Sequence, residues 1–277
     1  MNKSCIIFAC TVLSPDRLFV LQQFLDSFKT HFNDADIYVG INTGTTPAAI
    51  KMLETSNLNI KCINQSPPEL YTKSDASAYQ AALLGLKVST EQYSKYWFIH
   101  TKGSVNSHSD YLRQWYLDNF ISDRKNVELY LNETGAGSYG KLGLGYQYGK
   151  TYNETDTEIP LLSNTITEDL PYTHASFFYI HTLYTINSTP MHRFMKLITN
   201  KWFVSKLDRY YFEGVFPFIV SRTGDYPYLE NRIDCSGNDL QPAMEDWLLT
   251  NKLEHKINYK TNFHFNQLNP PYVNSNT

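Results

Sequence analysis

From Ser4 to Lys125, short apolar runs alternate with segments of helical spacing, and this alternation does most to limit what the chain can fold into. Residues 4–13 hold the near-continuous run Cys5-Ile6-Ile7-Phe8-Ala9-Cys10, followed by the turn Ser14-Pro15-Asp16. Leu18, Leu21, Leu25, Phe28 and Phe32 then recur at intervals of three and four, one face of an amphipathic helix. Residues 36–42 and 59–63 read as further strands, with a short helix opened by Pro47 between them. Residues 76–92 form a helix rich in small side chains, which predicts close packing on a neighbour. Residues 96–99 (Tyr-Trp-Phe-Ile) are a fourth strand. Residues 109–125 are a helix with Leu112, Trp115, Tyr116 and Phe120 inward. Strands joined by helices demand right-handed crossovers and a mostly parallel sheet covered on both faces, a Rossmann-like α/β core.

The second half is less regular. Residues 135–149 carry six glycines among tyrosines, suggesting turns and a strand. Residues 153–169 are acidic and Thr-rich, the composition of a loop or lid. Residues 174–181 are a strong strand, and 190–200 and 207–222 are helical. Pro242 starts another helix, with Met244, Trp247 and Leu248 on one face, and the polar tail after Asn266 is extended. No repeat or low-complexity linker interrupts the chain, so residues 1–277 are expected to form a single domain.

With 42% hydrophobic and 18% charged residues, the chain can build a core and is not globally disordered. A net charge of −3 argues against a nucleic-acid partner held by phosphate contacts. The 21 tyrosines suit stacking on sugars or bases, or reflect a Tyr- and Asn-rich composition. Cys5, Cys10, Cys62 and Cys235 form no Cys-x-x-Cys pair, which points to a reducing compartment and a cytoplasmic protein. The run at residues 5–13 is read as a first strand instead of a secretory leader, and no apolar run reaches the ~18 residues of a transmembrane segment.

The fourth strand ends in His100-Thr101-Lys102-Gly103. In open α/β sheets ligands bind at the carboxyl ends of the strands. There Lys102 offers a compact cation for phosphate, and Gly103 lets backbone approach closely. The alternative is a solvated loop lysine beside a packed histidine.

The segment Asp75-Ala76-Ser77-Ala78-Tyr79-Gln80-Ala81-Ala82, a helix, and then Tyr-Trp-Phe-Ile-His-Thr-Lys-Gly resembles glycosyltransferases of the GT-A fold over residues 4–125. Weaker echoes lie at 175–180 and 213–217. In that family an Asp-x-Asp motif after the corresponding strand binds the metal and the donor diphosphate; here the slot holds His100-Thr101-Lys102, a box similar to that of rhamnan-synthesis-type polysaccharide transferases. The resemblance implies a nucleotide-sugar-binding half at 4–125 and an acceptor-side half at 126–277. It also implies a UDP- or GDP-linked donor, a glycan or glycolipid acceptor and a role in polysaccharide biosynthesis. Asp34-Ala35-Asp36 opens the second strand at the opposite end of the sheet and reads as helix-to-strand loop chemistry.

In such an enzyme Lys102 would neutralise the leaving diphosphate in place of a metal ion. His100 would bond phosphate or sugar, or ligate Mn²⁺ if a divalent metal is used; alternatively it bonds backbone. Thr11, Ser14, Asn42 and Thr43 fall where the donor nucleotide would lie, or are ordinary loop polar groups. Asp75 and Tyr79 open the preceding helix, where Asp75 can cap the helix, bind donor, or do both. Glu213, in the apolar run Tyr210-Tyr211-Phe212-Glu213-Gly214-Val215-Phe216-Pro217, is the candidate general base, or else a glutamate on a polar helix face. His174 is a weaker candidate for acceptor binding. Two competing functions are a non-catalytic nucleotide- or glycan-binding module and a metal hydrolase using His100, His174 and His181. No His-x-His or His-Glu-x-x-His spacing supports the hydrolase.

Overall fold

The structure, a computed structural model, describes residues 3–67, 75–105, 110–134, 138–146, 177–198, 200–203, 212, 227–230 and 258–260. The first strand, β1 (Ser4–Cys10), is buried at every residue. The strand is apolar throughout because both of its faces are covered. Ile6, Phe8 and Cys10 enter one core with Phe24 and Phe28 of α1 (Leu18–His31), and Ile7 and Ala9 enter the other.

β2 (Asp36–Ile41) and β3 (Ile60–Gln65) extend the sheet on one side of β1, and β4 (Lys95–His100) lies on the other, all parallel. α2 (Pro47–Glu54) crosses from β2 to β3, capped by the Thr46 side chain. β5 (Ser138–Tyr146), β6 (Phe177–Asn187), β7 (Pro227–Glu230) and β8 (Asn258–Lys260) complete the order β3-β2-β1-β4-β6-β5-β7-β8. Among the described residues β6 alone runs against the rest. The fold is therefore the Rossmann-like, mostly parallel α/β sheet with helices on both faces that the alternation predicts.

α3 (Asp75–Lys87) explains its own composition. A Cβ at Gly40 of β2 would lie 1.7 Å from the Ala78 carbonyl oxygen, so only glycine lets helix and strand meet so closely. α3 stops at Lys87, short of the expected residue 92; the Lys87 ammonium bonds the Ile198 carbonyl and Ser89 N–H bonds that of Leu86. The helix expected at 109–125 is divided. α4 (Asp110–Tyr116) runs into a π turn (Leu117–Ile121), and α5 (Arg124–Thr134) carries on. The wide turn keeps Tyr116, Leu117, Phe120 and Ile121 all buried. The side chains of Leu112 and Trp115 lie outside the described residues.

β6 begins at Phe177 and reaches Asn187, extending past the strand expected at 174–181. The Asn187 side chain accepts the N–H of Ser188 and starts α6 (Ser188–Leu197) before Pro190; α7 (Asn200–Phe203) follows. The loop at 153–169, the helix at 207–222 apart from Phe212, the helix from Pro242 and the tail after Asn266 lie outside the described residues.

The amino edge of the sheet is ionic. Asp36, wholly buried, meets the Lys3 ammonium at 2.6 Å, that of Lys61 at 3.5 Å and the Tyr93 hydroxyl at 2.8 Å. Asp34 instead pairs with Arg124. The two acids of Asp34-Ala35-Asp36 thus face different partners, and Asp36 is part of the strand itself.

Candidate functional site

Because β1, β2 and β4 are parallel neighbours, their carboxyl ends leave the sheet together. Thr11 follows β1, Asn42 follows β2 and Thr101 follows β4. The Thr11 N–H donates to Thr101 Oγ1 at 2.9 Å, and that hydroxyl returns to the Thr11 carbonyl at 3.2 Å. Side chains thus continue the β1–β4 pairing beyond its last backbone rung. The Asn42 amide donates to Thr11 Oγ1 at 2.7 Å, and Ser77 donates to Asn42 Oδ1.

The first turns of α3 arrive over this edge because its small residues let it lie directly on β2. Asp75 Oδ1 accepts from Thr11 Oγ1 at 3.4 Å, and Asp75 Oδ2 lies 3.8 Å from His100 Nε2. The other nitrogen of that ring, Nδ1, is 3.3 Å from the Tyr79 hydroxyl. The imidazole is 2% exposed and the Asp75 carboxylate 22%, so Asp75 is the member of the pair that meets solvent. Tyr79 is fixed by rings of Phe98 and Phe212 at 5.6 and 5.1 Å.

The sequence-predicted residues Thr11, Asn42, Asp75, Tyr79 and His100 therefore converge. Thr43 sits beside them, its hydroxyl 3.4 Å from the Ser66 carbonyl. Ser14 turns aside to Asp16. Lys102 is half-buried on the next turn, where its N–H bonds the His100 carbonyl at 2.8 Å. Gly103 has φ +82°, the left-handed conformation that glycine adopts without strain. Glu213 and His174 lie outside the described residues, as does the side chain of His181.

Thr101, Ser77, Arg17 and Asp110 also belong to this edge, though no sequence motif singles them out. Thr101 holds only the unspecified middle place of the His-x-Lys box. Arg17, third residue of the 3₁₀ turn Pro15–Arg17 after β1, donates to the Gly103 carbonyl and to Asp110. Burial tends to raise the Asp110 carboxyl, but hydrogen bonds from Arg17 and Arg113 outweigh it and hold the group below the ordinary aspartate value.

Asp75 and His100 offer one oxygen and one nitrogen donor to a metal ion. Among the described residues no group of three or more His, Cys, Asp and Glu could hold one. Nor is any helix among them long and apolar enough to cross a membrane.

No family model and no curated protein matches the chain. Two solved structures are similar to it in outline. One is 4-diphosphocytidyl-2C-methyl-D-erythritol synthase from Anaerococcus prevotii, 11% identical, with 83% of this chain and 89% of that one covered and a TM-score of 0.41. The other is core-mannan synthase A from Aspergillus fumigatus in a Mn/GDP form, 9% identical, with 82% and 72% covered and a TM-score of 0.38. Likeness at this level fixes neither reaction nor ligand.

Proposed function

We propose that the protein transfers a sugar from a UDP- or GDP-linked donor to a glycan or lipid-linked acceptor, in cytoplasmic polysaccharide biosynthesis. The observation that carries this reading is the convergence of Thr11, Asn42, Asp75, Tyr79 and His100 at the carboxyl ends of three parallel strands, with Lys102 on the adjoining glycine turn.

In this reading Thr11, Asn42 and Thr43 line the nucleotide. Asp75, held by His100 and Thr11, bonds a donor hydroxyl. The acceptor oxygen forms a bond to the anomeric carbon as the bond from that carbon to the diphosphate oxygen breaks. Glu213 takes the acceptor proton, Lys102 balances the charge on the departing diphosphate, and His174 contacts the acceptor. Because Lys102 supplies that charge, turnover is expected to survive EDTA. Loss with EDTA and recovery with Mn²⁺ would instead make His100 and Asp75 metal ligands.

The test is a panel of nucleotides and nucleotide sugars read by thermal shift, since a ligand at 100 times its Kd stabilises the fold by about 2.7 kcal/mol. Hits are then assayed for sugar transfer to glycan and glycolipid acceptors. Stabilisation with product supports the transferase, and stabilisation without product supports a binding module. No shift with any compound rejects the reading.

A further inference from the structure

The Gly103 carbonyl is tied to a frame that lies outside the polar cluster. The Arg17 guanidinium donates to it from Nε at 3.1 Å and also from Nη2. The same guanidinium faces the Asp110 carboxylate, with Nη1 at 3.4 Å, and Asp110 also binds Arg113. Arg113 continues to Gln23 of α1 at 2.8 Å. Both guanidinium groups lie against the Phe19 ring, 4.8 and 5.3 Å from its centre. The Arg17 and Arg113 side chains are 12% and 4% exposed, while Asp110 and Phe19 form the solvent-facing side of the frame. It joins the turn after β1, helix α1 and helix α4 to one carbonyl, next to Lys102.

We propose that Arg17 is a positioning residue: it fixes the Lys102-Gly103 turn so that the Lys102 ammonium meets an anionic diphosphate in one place. The inference rests on the nucleotide-sugar reading of the site. The Ser104 N–H closes the turn onto the Thr101 carbonyl at 3.1 Å, and Arg17 adds the anchor on its Gly103 carbonyl; without that anchor, glycine at φ +82° would let the lysine sample more positions. Arg17 can grip a carbonyl and a carboxylate at once through its planar fork, which a lysine cannot reproduce. Its donors are committed to the Gly103 carbonyl and to Asp110, a carboxylate it shares with Arg113.

The test uses Arg17→Ala, Arg17→Lys, Lys102→Ala and the Arg17→Ala/Lys102→Ala double variant of the full chain. In ligand-free protein, Arg17→Ala should speed amide hydrogen exchange across residues 101–105 by about tenfold while β1 and β4 stay protected. UDP and GDP should bind about tenfold more weakly, with uridine and guanosine within about twofold of wild type. The double variant should bind no worse than Lys102→Ala alone, because the two residues act through one contact. Arg17→Lys should recover part of the loss, and it carries the test if Arg17→Ala does not fold. Unchanged exchange at 101–105, losses that multiply in the double variant, or nucleosides weakening with diphosphates would each overturn the proposal. If wild type binds neither nucleosides nor diphosphates while Arg17→Ala still loosens the turn, the nucleotide-sugar reading fails and the anchoring of the turn stands.

Discussion

Gly40 of β2 lies directly beneath the Ala78 carbonyl of α3: an added Cβ would stand 1.7 Å from that oxygen and 2.8 Å from the Ala82 nitrogen. Both obstacles are backbone, so neither can swing aside. Gly40→Ala is expected to push α3 off the sheet and cost about 3 kcal/mol or more. At Gly85 the same added atom would meet the Cys62 sulfur at 2.3 Å and the Asn64 amide at 2.9 Å, both ends of side chains. Gly85→Ala also gains roughly 1 kcal/mol of helix propensity, so its loss should be smaller. Urea melts of the two variants check this ranking; a Gly40→Ala protein as stable as wild type would refute it.

Lys102→Ala should weaken donor binding or turnover at least tenfold without lowering the melting temperature. Hydrogen bonds to charged groups contribute about 1.5–3 kcal/mol, enough for that factor. Titration with UDP- and GDP-sugars reads the effect, and equal affinities in variant and wild type would show that Lys102 plays no part in binding.

Glu213→Gln should lower turnover far more than donor affinity. The substitution keeps size and removes the proton acceptor, so the loss falls on the chemical step. Single-turnover rates beside donor Kd values separate the two effects. A variant that turns over at the wild-type rate would take the base role away from Glu213.

Acid should weaken the fold in part through Asp34. Hydrogen bonds from Arg124 hold its carboxyl below the ordinary value, and burial opposes them only partly. A lowered carboxyl contributes stability fully above its unfolded value, about 3.9, and loses it as pH falls through the folded value. The carboxylate is 58% exposed, so the pair contributes only about 0.2–1 kcal/mol. Asp34→Asn should therefore be slightly less stable than wild type at pH 6, with the gap closing by pH 3. Parallel curves across that range would exclude this source of acid sensitivity.

Much of the first half was legible in the residues. The unbroken apolar run of β1 announced a strand covered on both faces, and the alanines of α3 announced a close neighbour, found at Gly40. The carboxyl-edge position of His100 followed from the strand pattern alone. Other features leave no local trace. A strand carries the same two-residue period in either direction, so nothing in β6 shows that it runs backwards. Arg17 and Gly103 are 86 residues apart, and only the adjacency of β1 and β4 brings them together. The π turn at Leu117–Ile121 is one residue of slippage within an otherwise helical pattern, too small a change for spacing to reveal.

The place of β6 also bears on how the chain must assemble. β1 to β4 need only the first hundred residues and can pair while the rest is still being synthesised. β5 emerges next, yet β4 is not its native neighbour, because the place between them belongs to β6 (Phe177–Asn187). Until β6 emerges the outer edge of β4 is bare, including Phe98, whose ring will stack on Tyr184 at 4.9 Å. A nascent chain therefore carries an open aromatic strand edge, the kind that recruits stray strands, for as long as a ribosome takes to make the intervening residues.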